Sequence, residues 1–393
     1  MTSTGAFQQS RRLAEVQTPV IPVIGRWIAE TPGTISLGQG LVSYGPPAPA
    51  LEAARRFGEA PADHRYGPVE GQPALVAAIE RKLGAENGIA VRPASRVVVT
   101  AGGNLAFMNA VLAITDPGDD VILPAPYYFN HEMAVVIAGA RAVPVPTGPD
   151  WQLDVPAIRR AMTARTRAVV TVSPNNPTGA VYPEAPLRAV NALCGDAGVF
   201  HVHDEAYEYF VYDEAGHFSP GSIAGAAEHT ISLYSLSKAY GMASWRIGYM
   251  VIPAALWDAV NKTQDTLLIA APSVSQAAAL AALDVGPAYA ARHLPALDRR
   301  RQFLFHALSA PGVPCDIPMA AGAFYFFIRV PTRLDALTCC DRLIHDHHVA
   351  AIPGSAFGDV AGCSLRISYG ALDQAAVEEA VRRLVTGLRA LVA

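Results

Sequence analysis

No run in the 393 residues approaches the ~18 consecutive apolar residues that a membrane span requires, so the chain is expected neither to insert in a bilayer nor to be anchored to one. Basic character is also missing. A formal net charge of −4 and a sequence pI near 6.3 leave no electrostatic footprint for nucleic acid. Five cysteines, Cys194, Cys315, Cys339, Cys340 and Cys363, show no C-x-x-C spacing, and an odd count argues against a disulfide framework. A reducing cytoplasm is the simplest home. Arg11-Arg12 are followed by Glu15, Gln17, Pro19 and Pro22 rather than an apolar signal core, so no export signal is expected. Gly38-Gln39-Gly40 continues with Ser43 where a dinucleotide fingerprint needs glycine. There is no internal repeat or low-complexity tract. The scarcest feature is lysine itself, with only Lys82, Lys238 and Lys262 present. Lys82 and Lys262 fall in polar, helix-like stretches and read as solvated cations. Lys238 lies beside Ser235 and Ser237 in a glycine- and aromatic-rich segment, where arginine elsewhere supplies the surface charge, so its nucleophilic amine is the property in use.

The apolar content of 51% fits a globular enzyme, and at ~100–200 residues per domain the length suggests a large and a small domain. Short β-branched runs occur at Val97–Thr100, Val121–Leu123, Arg141–Val145, Ala168–Val172, Val199–His203, Thr230–Tyr234 and Ile247–Ile252, mostly separated by stretches able to form helices. That pattern predicts an α/β fold with a mostly parallel seven-stranded sheet covered by helices on both faces. Residues 1–50 read as an N-terminal arm and part of a small domain, 51–290 as the large domain, and 291–393 as the rest of the small α+β domain. The last segment holds a charged helix Arg292–Leu308, strands Ala323–Val330 and Ser364–Ser368, and an amphipathic helix with Val377, Val381, Leu384, Val385 and Leu388 on one face.

In such sheets ligands bind beyond the carboxyl ends of the strands. The residues there are Gly102-Gly103-Asn104, Pro126-Tyr127-Tyr128, Ser173 to Gly179, Asp204 to Tyr207 and Ser235 to Lys238. Gly103 and Asn104 open the predicted helix Leu105–Ile114, whose free N–H groups favour an anion. Four motifs stand in one order: Asn176-Pro177-Thr178-Gly179, Asp204-x-Ala206-Tyr207, Ser235-x-Ser237-Lys238 followed eight residues later by Arg246, and Ser364-Leu365-Arg366-Ile367-Ser368. Together they resemble the class I/II aminotransferases, fold-type-I enzymes that use pyridoxal 5′-phosphate (PLP), over a span from about residue 30 to the C-terminus.

The resemblance implies that Lys238 holds the cofactor aldehyde as a Schiff base and shuttles the substrate Cα proton, which requires a neutral amine. By the same resemblance Asp204 pairs with the pyridinium nitrogen, with Glu205 as the adjacent alternative, and Tyr207 and Asn176 hydrogen-bond the phenolic oxygen. Asn175 is assigned to the loop. Gly103, Asn104, Ser235, Ser237 and Arg246 form the phosphate cup. Tyr128 stacks on the ring, with Tyr127 turned to the core. Tyr66 reaches the phosphate of a neighbouring subunit, which implies a homodimer with shared sites. Arg366 clamps the substrate α-carboxylate with help from the Gly40 backbone, and Asn176 adjoins that clamp.

The implied reaction is amino transfer between an amino acid and a 2-oxo acid. The alternative is elimination, replacement or carbon–carbon bond formation on the same scaffold, because the scaffold stabilises only the Cα carbanion. A regulator's PLP-binding domain is disfavoured, since no DNA-binding domain is attached. Gln264–Ser275 carries no arginine for a distal carboxylate, which disfavours aspartate as donor, and Tyr44, Tyr66, Phe129 and Phe357 are candidates for an aromatic-tolerant pocket. His345, His347 and His348 read as a solvated helix face rather than a metal site, and Cys339-Cys340 as packed thiols.

Overall fold

In the computed structural model, which describes residues 9–359 and 362–392, all seven β-branched runs become strands of one sheet. After a two-residue strand β1 (Ile35–Ser36) come β2 (Ser95–Thr100), β3 (Asp120–Ala125), β4 (Arg141–Pro146), β5 (Thr166–Val172), β6 (Phe200–Asp204), β7 (Thr230–Ser235) and β8 (Gly248–Pro253). Their order across the sheet is β2-β8-β7-β6-β5-β3-β4. Only β8 is antiparallel, to both β2 and β7. Alternation along the strands explains why helices cover both faces. Val121 and Leu123 pack with Ala168 and Val170 on one side, under Phe107, Ala110 and Val111 of the helix Gly103–Ile114. Ile122 and Val169 point the other way, to Ile158, Val190 and Leu193. Each such buried side chain contributes about 1.5–3 kcal/mol relative to exposure.

A second, three-stranded antiparallel sheet of order β11-β12-β9 is built from β9 (Tyr325–Val330), β11 (Ile352–Pro353) and β12 (Cys363–Ser368). Between β9 and β11, β10 (Val349–Ala350) pairs in parallel with β1, so that Ile35 lies opposite Val349. The N-terminal segment is thereby tied to the C-terminal part of the chain. The helix Gln374–Val392 buries Val377, Val381, Leu384 and Leu388 as its periodicity predicts, while Val385 sits at the edge of the stripe. The charged helix begins at Leu294 rather than Arg292. Pro295 occupies its first turn, where a missing N–H costs nothing, and a separate short helix Ala288–Ala291 precedes it.

Lys82 corrects one expectation. Although it ends the helix Pro73–Lys82, it is buried: Nζ donates to Asn87 Oδ1 at 2.7 Å and to Glu208, with the rings of Tyr209 and Tyr234 about it. The stretch is polar in its own residues, and it is Glu208 and Tyr209, delivered only by the tertiary fold, that enclose the lysine. Lys262 is a surface cation beside Asp258, as expected. His345 and His348 are exposed, and Cys339 and Cys340 are fully buried, with Cys339 Sγ 3.3 Å from Cys363 Sγ. No helix among the described residues is long and apolar enough to cross a membrane.

Candidate active site

The parallel strands β3, β5, β6 and β7 deliver their carboxyl ends to one edge of the large sheet, followed by Tyr128, Asn176, Asp204 with Tyr207, and Ser235 to Lys238. The antiparallel β8 runs the opposite way, and this puts Arg246, two residues before its start, at the same edge. Arg246 has φ +51° and donates to Ala243 O at 3.0 Å. Beside it, Gly102 has φ +82° and opens the helix of Gly103 and Asn104. Its positive φ favours glycine, and a Cβ there would press within 2.6 Å of Arg246 Nη2 and push that guanidinium aside. From the small sheet come Arg366 on β12 and Tyr325 on β9, and the segment after β1 adds Gly40. These groups enclose a cavity of about 440 Å³.

Lys238 Nζ projects into this cavity and donates to Gly40 O at 2.5 Å. Burial, then the Arg366 and Arg246 guanidinium groups, lowers its pKa to about 8, against an upward pull from Asp204. The amine is therefore far closer to neutrality at physiological pH than an exposed lysine. Asp204 Oδ1 accepts from Ala206 N at 3.0 Å, and Oδ2 lies 3.2 Å from His131 Nε2. His131 is itself held by a stack on Phe107, with centroids 4.0 Å apart. Glu205 points away from the cavity into a closed network of His217, Ser219, Asn87 and Tyr234, where His217 and its other donors hold it down at about 2 despite burial.

Arg366 is buried. Its Nη1 donates to Asn176 Oδ1 at 2.9 Å and its Nη2 to Gly38 O at 2.7 Å, while its Nε has no partner. Among the described residues that Nε is buried without a hydrogen-bond partner, which carries the cost of an unbonded buried donor. Asn176 Nδ2 approaches Tyr207 Oη at 3.4 Å, and Tyr207 Oη lies 2.8 Å from Tyr325 Oη. Burial pushes both phenols above their ordinary pKa, Tyr325 to about 12, so both remain protonated.

Of the cofactor and substrate-clamp residues singled out from the sequence, all but Tyr66 line the cavity: Gly40, Gly103, Asn104, Tyr128, Asn176, Asp204, Tyr207, Ser235, Ser237, Lys238, Arg246 and Arg366. Tyr66 lies on the outer surface at 87% exposure. Asn175 closes the Asn-Pro-Thr-Gly turn by accepting from Thr178 N and Oγ1. Tyr127 packs in the core against Gly358, whereas Tyr128 faces the cavity with its hydroxyl bonded to Asn130 and Asn104. Of the aromatic-pocket candidates only Phe129 lines the cavity. Phe357 packs behind it, at 5.3 Å between centroids, and Tyr44 lies under the Lys238 backbone, donating to its carbonyl at 3.0 Å. The sequence reading missed His131, Tyr325, Ile21 and Leu41. His131 stands one helical turn after Tyr128, the one signal that pointed to it; the other three lie outside the motifs.

The donor set fits a phosphorylated aromatic aldehyde. A helix N-terminus, two serines and an arginine form an anion cup at one end, a low-pKa amine stands in the middle, and a buried carboxylate faces it.

Comparison with known proteins agrees with that fit. Residues 32–384 match the family model described as aminotransferase class I and II. The chain is 34% identical to the aromatic aminotransferase ISS1 of Arabidopsis thaliana, over 97% of this chain and 96% of that protein. It is 37% identical to the aspartate/prephenate aminotransferase of Thermus thermophilus, over 85% and 86% of the two chains. The solved structure of the Thermus thermophilus aspartate aminotransferase with maleate superposes with a TM-score of 0.90 at 32% identity, covering 97% of this chain and 100% of that one.

Proposed function

The chain belongs to the class I and II aminotransferases and moves an amino group between an amino acid and a 2-oxo acid; from that premise we propose that it does so with PLP, on amino acids with large apolar or aromatic side chains. One observation carries the cofactor: a buried lysine with pKa near 8 shares a single cavity with a carboxylate and a multi-donor anion cup. When bound, the cofactor supplies an electron sink for the pair left at Cα when the substrate's proton departs. Lys238 holds the cofactor aldehyde until substrate arrives. Its freed amine, whose pKa burial and the neighbouring guanidinium groups lower, would then take the Cα proton and deliver it onward.

Asp204 faces the ring nitrogen. A cationic partner there offsets the desolvation of the carboxylate, and the His131 contact fixes its orientation. Tyr207, with Asn176, donates to the phenolic oxygen. Gly103 N, Asn104 N, the hydroxyls of Ser235 and Ser237 and the fork of Arg246 hold the phosphate. Tyr128 covers the ring. Arg366 and Gly40 bind the α-carboxylate, which uses the guanidinium N–H that has no partner within the chain.

The substrate side-chain end is lined by Ile21, Leu41 and Phe129. The cations lining the cavity are Lys238, Arg246 and Arg366, and each already has a role, so none among the described residues is left for a distal carboxylate. This favours a ring over a second acid group, in keeping with the named activity of the Arabidopsis relative. The test is a panel of single amino acids given to holoenzyme, with the 2-oxo acid product measured. Phenylalanine or tyrosine is expected to exceed aspartate in kcat/KM by roughly tenfold or more. The reverse order overturns the substrate assignment. Release of a side-chain leaving group without matching 2-oxo acid overturns transamination in favour of elimination or replacement. Lys238→Ala is expected to abolish turnover.

The active unit is a homodimer in which Tyr66, outward-facing on its own chain, completes the phosphate cup of the partner subunit. Sedimentation should give a dimer, and Tyr66→Phe should weaken cofactor binding several-fold without lowering stability. A monomeric, fully active enzyme contradicts both. The five free thiols suit a reducing cytoplasm.

A further inference from the structure

The hydroxyls of Tyr207 and Tyr325 meet where the two sheets meet. Tyr207 follows β6 of the large sheet and Tyr325 opens β9 of the small one, yet their Oη atoms are 2.8 Å apart and both side chains are buried. Tyr325 also touches the substrate clamp, since the Arg366 guanidinium carbon lies 4.7 Å from its ring centroid. Its hydroxyl stands so close to the Gly40 backbone that a Cβ on Gly40 would come within 2.7 Å.

A phenol has one proton to donate and two lone pairs to accept with. On the cofactor reading above, on which this inference rests, the Tyr207 proton is committed to the phenolic oxygen. Tyr207 Oη is then an acceptor toward Asn176 Nδ2, at 3.4 Å, and toward Tyr325. Among the described residues Tyr325 Oη has no other hydrogen-bond partner, so its proton goes to Tyr207. A hydrogen bond received by a hydroxyl strengthens the one it gives, by perhaps 10–30%. A stronger donor on the phenolic oxygen draws negative charge from it, and that oxygen is the group that retains the proton on the neighbouring lysine nitrogen. We propose that Tyr325 is a positioning residue that acts through Tyr207, holding its hydroxyl as donor toward the cofactor and coupling that bond to the Arg366 clamp.

The charged and titratable groups facing the pair are Arg366 from β12, Tyr128 after β3, Asp204 after β6, Lys238 after β7 and Arg246 before β8. All stay in place when a single hydroxyl is removed.

The experiment compares Tyr325→Phe holoenzyme with the parent by pH titration of the bound cofactor's visible absorption. The titration is expected to move up by about 10–30% of the shift that Tyr207→Phe produces, the share by which a received hydrogen bond strengthens the one given. Tyr207→Phe should move it further, and Tyr207→Phe with Tyr325→Phe should match Tyr207→Phe alone, because the outer residue has nothing left to act through. The phenylalanine ring still lies beneath Arg366, so KM for the amino acid should stay within about twofold while kcat falls; Tyr325→Leu, which removes the ring, should raise KM as well. An unmoved titration in Tyr325→Phe with normal cofactor uptake overturns this inference alone, as does a shift that persists in the Tyr207→Phe background. Parent protein that acquires no visible chromophore from PLP overturns the cofactor reading and this inference with it.

Discussion

Arg366 donates to Asn176 Oδ1 at 2.9 Å, and with that bond β12 of the small sheet is fastened to the loop after β5 of the large one. The same guanidinium bonds Gly38 O and lies over the rings of Tyr325 and Phe357, so its plane is set by four neighbours before any substrate arrives. A lysine there would keep the charge and lose the plane. Arg366→Lys is therefore expected to lower kcat/KM for the amino acid by about a hundredfold or more, mainly through KM, with cofactor uptake retained. Steady-state kinetics alongside the cofactor spectrum checks both halves of the statement.

Lys238 makes the cofactor-free fold pH-dependent in a defined direction. Its pKa falls from 10.5 in the open chain to about 8 in the fold, so between those values the unfolded chain binds a proton that the folded one has released. Stability from this group rises with pH across that window, and below about pH 8 it is a burden. Lys238→Met apo-protein should consequently be more stable than the parent apo-protein at pH 7, by at most on the order of 3 kcal/mol, with the gap closing toward pH 10.5. Urea denaturation at several pH values measures it; an equal gap at both ends would exclude the mechanism.

Lys82 is the structural counterpart of Lys238. Removing it leaves Glu208 in a nearly closed site without its cation. Lys82→Met is expected to destabilise the fold by about 3–5 kcal/mol, and adding Glu208→Gln should recover much of that loss. A surface lysine would give neither effect.

His203 and His201 set the acid limit. Both are fully buried on β6 and share Thr171 Oγ1, at 2.6 and 2.7 Å. Burial lowers His203 to about 4 and His201 well below its usual range. From pH 6.5 down to about 4 the unfolded chain takes up protons that the folded chain refuses, so stability present above 6.5 is lost across that window. His203→Gln should flatten the slope of stability against pH there, as read by denaturant titration. Glu205, lowered from 4.5 to about 2, adds its own loss of stability from about pH 4.5 downward, so the slope is best read above about pH 5.

The seven strands of the large sheet were legible because central strands of a covered sheet are continuously apolar, as in Ala168–Val172, and the intervening helices interrupt them. Helix ends were less so, since Pro295 shifted one start by two residues. Asp204 could be preferred over Glu205 because Tyr207 three residues on completes the motif, and the structure directs Glu205 into its own network. His131 and Tyr325 carried no motif. Each makes a contact to a residue far away in sequence, 73 positions from Asp204 and 118 from Tyr207; for His131 the spacing from Tyr128 was the one local sign, and Tyr325 had none.

By itself the sequence determined which residue types the site holds. Lys238, Asp204, Arg246 and Arg366 stand in short motifs, and the proposed roles of an amine nucleophile, a partner for a ring cation and two anion clamps rest on those local patterns. The tertiary structure decided the surroundings of those residues. Three lysines of identical chemistry became a buried ion-pair partner at 82, a surface cation at 262 and an enclosed amine at 238 whose pKa is lowered to about 8 by burial and by the charges brought beside it. For Lys238 those charges are Arg246, Arg366 and Asp204. They arrive from β8, β12 and β6, strands of two different sheets, and only folding places them around one amine.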